Sequence, residues 1–382
     1  MAGKGKITVL FVCGSPFEGA ERSLYNLIVS LKDVITPIVL LPSKGDAYKH
    51  FIEIGVKCIV HSYQTVFDPL NYWLWVFLHP WRMRMVKHFR YDIRCLLMVK
   101  KALKNSKIDI VHSNNSYIVL GCKLAAMLKA KHVWHIREYM NPNMHTKAIN
   151  RMGFPRLRKL VNNADGRIVV SNACCEHWDL VKEKTWVIRD AVRSVNDCCF
   201  EKTKQPYFLF CSKWMTKAKG AGRVVSAFGM SGVFTVRLKM VGDCEDDYMK
   251  DLMALAESYN CVEYIDFIPA QIDVKSYFAN AMAFIQPSVN EGMGRTTAEA
   301  MFYGCPVIAY ASGGTLDLVK DGETGYLFNS VEECAKLMKK VCTTNQEEII
   351  LQAQSYAKEN LSIENYGNKI MEVYNKVLCK NF

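Results

Sequence analysis

No uninterrupted apolar run in the 382-residue sequence approaches the roughly 18 to 20 residues that a membrane-crossing helix needs. A bilayer-spanning chain is therefore not expected. Fifteen cysteines are present, yet none forms a Cys-x-x-Cys pair, and the neighbours Cys174-Cys175 and Cys198-Cys199 fit no zinc spacing. Met1 to Lys6 leads into a short apolar run, Ile7 to Val12, too short for a secretory signal. Free thiols without a signal imply a reducing cytoplasm. The dinucleotide fingerprint Gly-x-Gly-x-x-Gly is missing. Gly14-Ser15-Pro16-Phe17-Glu18-Gly19 carries the two glycines of a Walker loop, but Ala20-Glu21 stands where Lys-Ser or Lys-Thr is required. What remains is a glycine-bearing turn, with Gly19 entering a helix near Ala20, whose backbone can come close to a ligand. No Asp-x-Asp occurs, and Asp243 with Glu245-Asp246-Asp247 reads as a loop and a helix start. No cofactor is expected and no metal is required.

Charged residues make up only 23% of the chain and hydrophobic ones 50%, which excludes disorder. The length suits two domains of ordinary size. Short runs rich in Val and Ile alternate with longer amphipathic stretches, the pattern of parallel strands joined by helices. Strands are expected near 7–12, 35–41, 56–60, 108–112, 131–136, 166–171 and 186–189. The rhythm then restarts near 207–211, 234–241, 262–267, 282–286, 306–309 and 325–328. Between the two sets, 193–206 is polar, lacks a period and ends in proline, which marks a linker. The chain thus divides into an N-terminal domain (1–192), the linker (193–206), a C-terminal domain (207–360) and a closing helix (361–382). That helix carries Ile363, Tyr366, Ile370, Val373, Tyr374 and Val377 at helical spacing. The fold class is α/β, with two doubly wound Rossmann-like domains facing a central cleft.

The densest chemistry lies in Gln286 to Ala300. An apolar strand ends, a turn containing Gly292, Met293 and Gly294 follows, and Arg295 and Thr296 open a helix. Unpaired N–H groups at such a helix start suit a phosphate or pyrophosphate. Glu291 in the turn and Glu299 about one turn into the helix would repel phosphate, but they suit sugar hydroxyls. The combination describes a nucleotide-sugar site.

The formal charge of +12 is concentrated between Phe67 and Lys107, where Trp73, Trp75, Phe77, Trp81 and Phe89 alternate with Arg82, Arg84, Lys87, Arg90, Arg94, Lys100, Lys101, Lys104 and Lys107. Aromatics flanked by basic residues suit an anionic lipid surface. A buried helix with a solvated basic face fits the same residues. No nucleic-acid partner is expected, since no recognition module accompanies the charge.

Glu291-x7-Glu299, preceded by Pro287-Ser288 and followed by Ala300-Met301, Gly304-Cys305-Pro306, Gly313-Gly314 and Gly322-Glu323-Thr324-Gly325, resembles the C-terminal domain of glycosyltransferase family 4. These are retaining enzymes of the GT-B fold, in which the C-terminal helix crosses back to the first domain. Gly19-Ala20-Glu21-Arg22, Asp109 to His112, Ala164-Asp165 with Val169 to Ser171, and Val241-Gly242-Asp243 are similar to further family segments, so the resemblance runs over nearly the whole chain. There are departures. Cys244 replaces a glycine, Lys213 stands where the family has arginine, and Arg189-Asp190-Ala191-Val192 stands where it has Asn-Gly.

The resemblance implies a hexosyltransferase that uses a nucleoside diphosphate sugar. Lys213, Lys219 and the amides of Gly292 to Gly294 would meet the diphosphate, Glu299 the ribose hydroxyls and Glu291 the transferred sugar. It also implies that His135 touches that sugar. Arg137 and Glu138 suit either acceptor binding or pairing with each other. The basic aromatic stretch adds the expectation of a lipid-linked glycan acceptor in cell-surface polysaccharide assembly, with the protein peripheral at the inner face of the cell membrane. A sugar-nucleotide epimerase on the same fold and a non-catalytic sugar-nucleotide-binding protein are the rival readings.

Overall fold

A computed structural model describes residues 6–63, 93–139 and 154–379. The chain divides into two compact units, one of Met1–Arg189 with Tyr366–Phe382 and one of Asp190–Asn365.

Among the described residues the first unit is built on seven strands: β1 (Ile7–Val12), β2 (Ile35–Leu41), β3 (Lys57–Val60), β4 (Ile110–Ser113), β5 (Lys131–Ile136), β6 (Gly166–Val169) and β7 (Thr185–Val187). They lie in the order β3-β2-β1-β4-β5-β6-β7, and every pairing is parallel. Parallel strands covered on both faces need side chains that are apolar in both directions, and Val9, Leu10, Phe11 and Val12 are all fully buried. One face carries Leu10, Val12, Ile38, Leu40, Val111 and Leu124 in a single cluster. Strand β6 stops at Val169 because Ser171 leaves the ladder to cap the next helix, accepting from the Cys174 N–H. The helix Ile363–Val377 buries Tyr366, Ile370, Val373, Tyr374 and Val377, the face its spacing predicts, and from Tyr366 onward it belongs to this unit.

The second unit has six strands: β8 (Tyr207–Met215), β9 (Arg237–Cys244), β10 (Ile265–Ile268), β11 (Ala283–Gln286), β12 (Val307–Tyr310) and β13 (Tyr326–Phe328). Their order is β10-β9-β8-β11-β12-β13, again all parallel. In both sheets the strand order reverses direction beside the first strand, at β1/β4 and at β8/β11. Ligands of open α/β sheets bind beyond the carboxyl ends of the strands at such a reversal.

Several boundaries differ from expectation, β9 for instance running over Arg237–Cys244 instead of 234–241. Strand β8 runs on to Met215 across a register break between Cys211 and Trp214, so Lys213 sits on an exposed strand extension instead of in a loop. Residues 262–264 form a short 3-10 turn, and β10 begins only at Ile265. The polar segment 193–206 is bound into the second unit. Lys204 Nζ donates to the carbonyls of Ala279 (2.6 Å) and Gly304 (2.8 Å), and Gln354 Nε2 donates to Cys199 O at 2.7 Å. Its polar side chains cap main-chain groups, which is why it shows no hydrophobic period.

Most of the basic aromatic stretch, 67–92, lies outside the described residues. Its described remainder is helical over 93–102, with Cys95 and Val99 buried and Arg94, Leu97, Met98, Lys100 and Lys101 exposed. No helix among the described residues is long and apolar enough to cross a membrane.

Candidate active site

In the second unit, two loops leave the carboxyl ends of β8 and β11 at the point of strand reversal and are drawn together. Gly220, at φ +77°, lets the first loop approach the second, since a Cβ there would lie 2.9 Å from the Pro287 carbonyl oxygen. Arg223 fixes the same carbonyl with a 3.0 Å hydrogen bond. Across this junction Lys219 Nζ meets Glu291 Oε1 at 2.7 Å, with the lysine side chain 45% exposed and the carboxylate 13% exposed. An ammonium offers three N–H donors, so the one used on Glu291 leaves others for a ligand.

The second loop is braced from below. Gly314 N donates to Glu291 O at 2.8 Å, and Ser312 Oγ donates to Val289 O at 2.5 Å. A Cβ on Gly314 would come within 2.1 Å of the Gly292 carbonyl oxygen, so only glycine admits this contact. Beyond Gly292, Met293 and Gly294 the helix Arg295–Phe302 begins, and its first turn has no side-chain cap. A helix start without a side-chain cap is the arrangement that suits phosphate. Thr296 Oγ1 accepts from Gln286 Nε2 at 3.3 Å, tying the helix start to the end of β11.

Glu299 is buried, at 8% exposure, and pairs with Arg193 at 2.9 Å. The sequence-expected residues Lys219, Glu291, Gly292, Met293, Gly294, Arg295, Thr296 and Glu299 thus gather on three connected pieces of backbone. Lys213 lies exposed on the β8 extension. Among the described residues no group of His, Cys, Asp and Glu has the makings of a metal site. A cavity of about 280 Å³ beside Lys202, Lys204 and Gln346 adjoins Met282 and Pro306, at the amino ends of β11 and β12, away from these loops.

The first unit places its expected residues differently. Gly19 is exposed and opens the helix Gly19–Leu31, while Glu21 two residues later is buried and accepts the Gly14 N–H at 3.0 Å. Burial raises the Glu21 pKa in spite of that bond and of nearby Arg137. His135, on β5, is fully buried. Its Nδ1 lies 3.2 Å from His112 Nε2, and His112 Nδ1 lies 2.8 Å from the Tyr374 hydroxyl. Burial and then Arg137 hold the His135 pKa well below its usual value, so the ring is neutral. Arg137 Nη1 donates to Asn114 O (2.6 Å) and Oδ1 (2.7 Å), and Nη2 donates to the Tyr366 hydroxyl at 3.3 Å. Glu138 accepts from the Ser116 N–H at 2.9 Å and from its hydroxyl. Its pKa is raised by burial, against the pull of those bonds.

Two family models match this chain. "Glycosyltransferase Family 4" covers residues 17–192, and "Glycosyl transferases group 1" covers 200–360. The chain belongs to glycosyltransferase family 4. An uncharacterized glycosyltransferase of Haemophilus influenzae is 33% identical to it over 145 residues, 37% of this chain and 39% of that protein. The chain therefore spans under half the length of that relative. Among solved structures, Anabaena HepE in complex with UDP superposes with a TM-score of 0.77 at 19% identity, covering 97% of this chain and 100% of that one. A glycosyltransferase from Rickettsia africae gives a TM-score of 0.76 at 20% identity, covering 98% and 100%. Both share the fold.

This family 4 chain also brings to the site residues that carry no mark of it in the sequence. Arg193 falls in the segment expected to be a linker, yet its guanidinium sits on Glu299 and Tyr303. Tyr366 and Tyr374 read as apolar packing residues, yet their hydroxyls reach Arg137 and His112. A lone arginine in an aperiodic segment and a tyrosine on a buried helical face carry no local sign of a polar partner. Only the contacts of the folded chain disclose it.

Proposed function

We propose that this family 4 chain moves a hexosyl unit from a nucleoside diphosphate sugar to an acceptor hydroxyl with retention of anomeric configuration. The observation that carries this reading is the Lys219–Glu291 ion pair at 2.7 Å, a cation and a carboxylate joined across the two loops at the strand reversal. Support comes from HepE, of the same fold, which has been captured with UDP and with UDP-glucose.

As the bond between the anomeric carbon and the diphosphate oxygen breaks, its electron pair leaves with the diphosphate. Lys219, Lys213 and the amides of Gly292 to Gly294 meet the growing charge. Glu291 faces the sugar and stabilises its oxocarbenium-like centre, and Glu299 accepts from the ribose hydroxyls. The acceptor oxygen attacks the face the diphosphate leaves, and its proton passes to the departing phosphate oxygen, so no protein nucleophile is needed. His135, neutral and buried, takes no proton in this scheme. The lysines supply the positive charge without a metal, and turnover in excess EDTA is the expected result.

The acceptor in this reading is a lipid-linked glycan of cell-surface polysaccharide assembly. The basic and aromatic residues between 67 and 107 favour it by their affinity for anionic headgroups at the inner face of the membrane. Flotation with vesicles containing anionic lipid at low salt should carry the protein upward; failure to float removes the membrane arm.

The donor arm is tested by thermal shift with a panel of UDP-, GDP- and ADP-sugars. A ligand near 100 times its dissociation constant adds about 2.7 kcal/mol of stability. The stabilising sugar nucleotide should then be turned over, and Glu291→Ala and Glu299→Ala should each abolish most of that turnover. Unchanged turnover in both variants overturns the site assignment, and consumption of donor without any acceptor turns the reading toward an epimerase.

A further inference from the structure

Residues 190–193, the first of the second unit, are stitched to the loop and helix of the candidate site at three places. The Asp190 N–H donates to Met293 Sδ at 3.1 Å, Arg295 Nη1 donates to Ala191 O at 3.4 Å, and Arg193 Nη2 meets Glu299 Oε1 at 2.9 Å. The Arg193 contact is the most elaborate of these. Its Nε–H donates to the Tyr303 hydroxyl, and its guanidinium carbon lies 5.6 Å from the centre of the Tyr303 ring. Glu299 and Tyr303 are four residues apart, joined by the Tyr303 N–H to Glu299 O bond at 3.0 Å, so one planar fork grips two successive turns of the same segment.

The main chain under the fork is equally fixed. The Val192 N–H donates to Leu361 O at 3.0 Å, and Arg193 O accepts from the Ile363 N–H at 3.0 Å. Arginine held by its backbone, by a hydroxyl and by a ring has little freedom left to lose when it orients a carboxylate. Glu299 itself is 8% exposed, and of its two oxygens Oε1 is taken by Arg193.

We propose that Arg193 is a positioning residue for donor recognition: by holding Oε1 of Glu299 it aims the remaining oxygen at the ribose hydroxyls of the nucleotide. The inference rests on the nucleotide-sugar reading of the site and adds to it a residue from a segment that the sequence marks only as a linker. Lysine in the same place would keep the charge and lose the fork, so it would hold Glu299 without fixing its direction.

The test uses UDP, GDP and ADP with their 2′-deoxy forms, titrated calorimetrically into the full chain. For the nucleotide that binds best, the wild-type protein should favour the ribo form by about tenfold, the worth of one hydrogen bond to a charged acceptor. Arg193→Ala should weaken the ribo form by about tenfold and leave the deoxy form nearly unchanged, so the preference collapses. Arg193→Lys should restore part of it. Tyr303→Phe, which removes only the hydroxyl that anchors Nε, should fall between wild type and Arg193→Ala and guards against a misfolded alanine variant. Equal weakening of both forms in all three variants, or an intact preference in Arg193→Ala, overturns the proposal. Absence of binding by any of the three nucleotides to the wild-type protein instead overturns the donor reading beneath it.

Discussion

The two units share a strand order and a point of reversal, yet they treat charge there in opposite ways. In the second unit Lys219 stays 45% exposed and its partner comes from the neighbouring loop. In the first, Glu21, Arg137, His112 and His135 beside β1, β4 and β5 are buried, Glu138 is half-buried, and all are occupied with their own unit: Glu21 with the Gly14 amide, Glu138 with Ser116, Arg137 with Asn114 and Tyr366, and the histidines with each other and Tyr374. Groups that remain on loops with donors to spare can exchange a protein partner for a ligand. Groups enclosed among partners of their own unit hold the scaffold, because leaving a buried polar group unpaired costs more than its bond contributes. The same fold thus carries an exposed lysine on its loops in one unit and a buried polar cluster in the other.

Substitutions should separate the two ends. The largest effect is expected at Arg167 of β6, only 2% exposed, whose guanidinium serves the carbonyls of Asn162, Ala164 and Glu183 and the hydroxyl of Thr185. Arg167→Ala leaves several carbonyls unpaired and should lower stability by about 4 kcal/mol, read as a fall in the urea midpoint. Its effect on nucleotide binding to the folded protein should be negligible. Gly314→Ala reverses that profile. The new Cβ must push the Gly292 carbonyl away from a 2.1 Å approach, shifting the loop that carries Glu291. Turnover should fall about a hundredfold, the usual outcome of misplacing a reacting group by an ångström, while the urea midpoint moves less than for Arg167→Ala.

A smaller effect concerns pH. Burial pushes the His132 pKa down to about 4, against the opposite pull of Asp165, while its Nε2 lies 2.9 Å from Ser113 Oγ. The unfolded chain takes up this proton from about pH 6.5 downward and the folded chain only near pH 4, so stability is lost as pH falls through that window and levels off below it. His132 should account for about 2 kcal/mol of the loss, within the roughly 3 kcal/mol that the full shift allows. His132→Gln should therefore flatten urea midpoints measured between pH 7 and pH 4. Some slope should remain from His135, whose pKa is lowered in the same direction. Least of all, removing the exposed Lys250–Asp247 pair should change stability by under about 0.5 kcal/mol.

Much of this molecule was legible in the sequence because its cause is local. Runs such as Val9 to Val12 and Ala283 to Ile285 are apolar on both faces, and only a sheet covered on both sides satisfies them. The turn at Gly292 to Gly294 announces a helix start, and Glu291 and Glu299 fall on either side of it by chain geometry alone. Where structure and sequence pattern part, the deciding partner lies far along the chain. The β8 extension that carries Lys213 is set by pairing of Trp214 with Asp243 and of Met215 with Cys244, which no propensity in Cys211 to Met215 reveals.

The sequence by itself determined two parallel α/β sheets, the phosphate-suited loop and its two glutamates, since periodicity and turn chemistry act over a few residues. The tertiary structure alone decided which charges meet. Lys219 reaches Glu291 because strands β8 and β11, distant in the chain, lie side by side, and Arg193 reaches Glu299 because residues 190–193 fold back onto the same unit. Electrostatic partnership depends on distance in space, and a chain shows that distance only once it has folded.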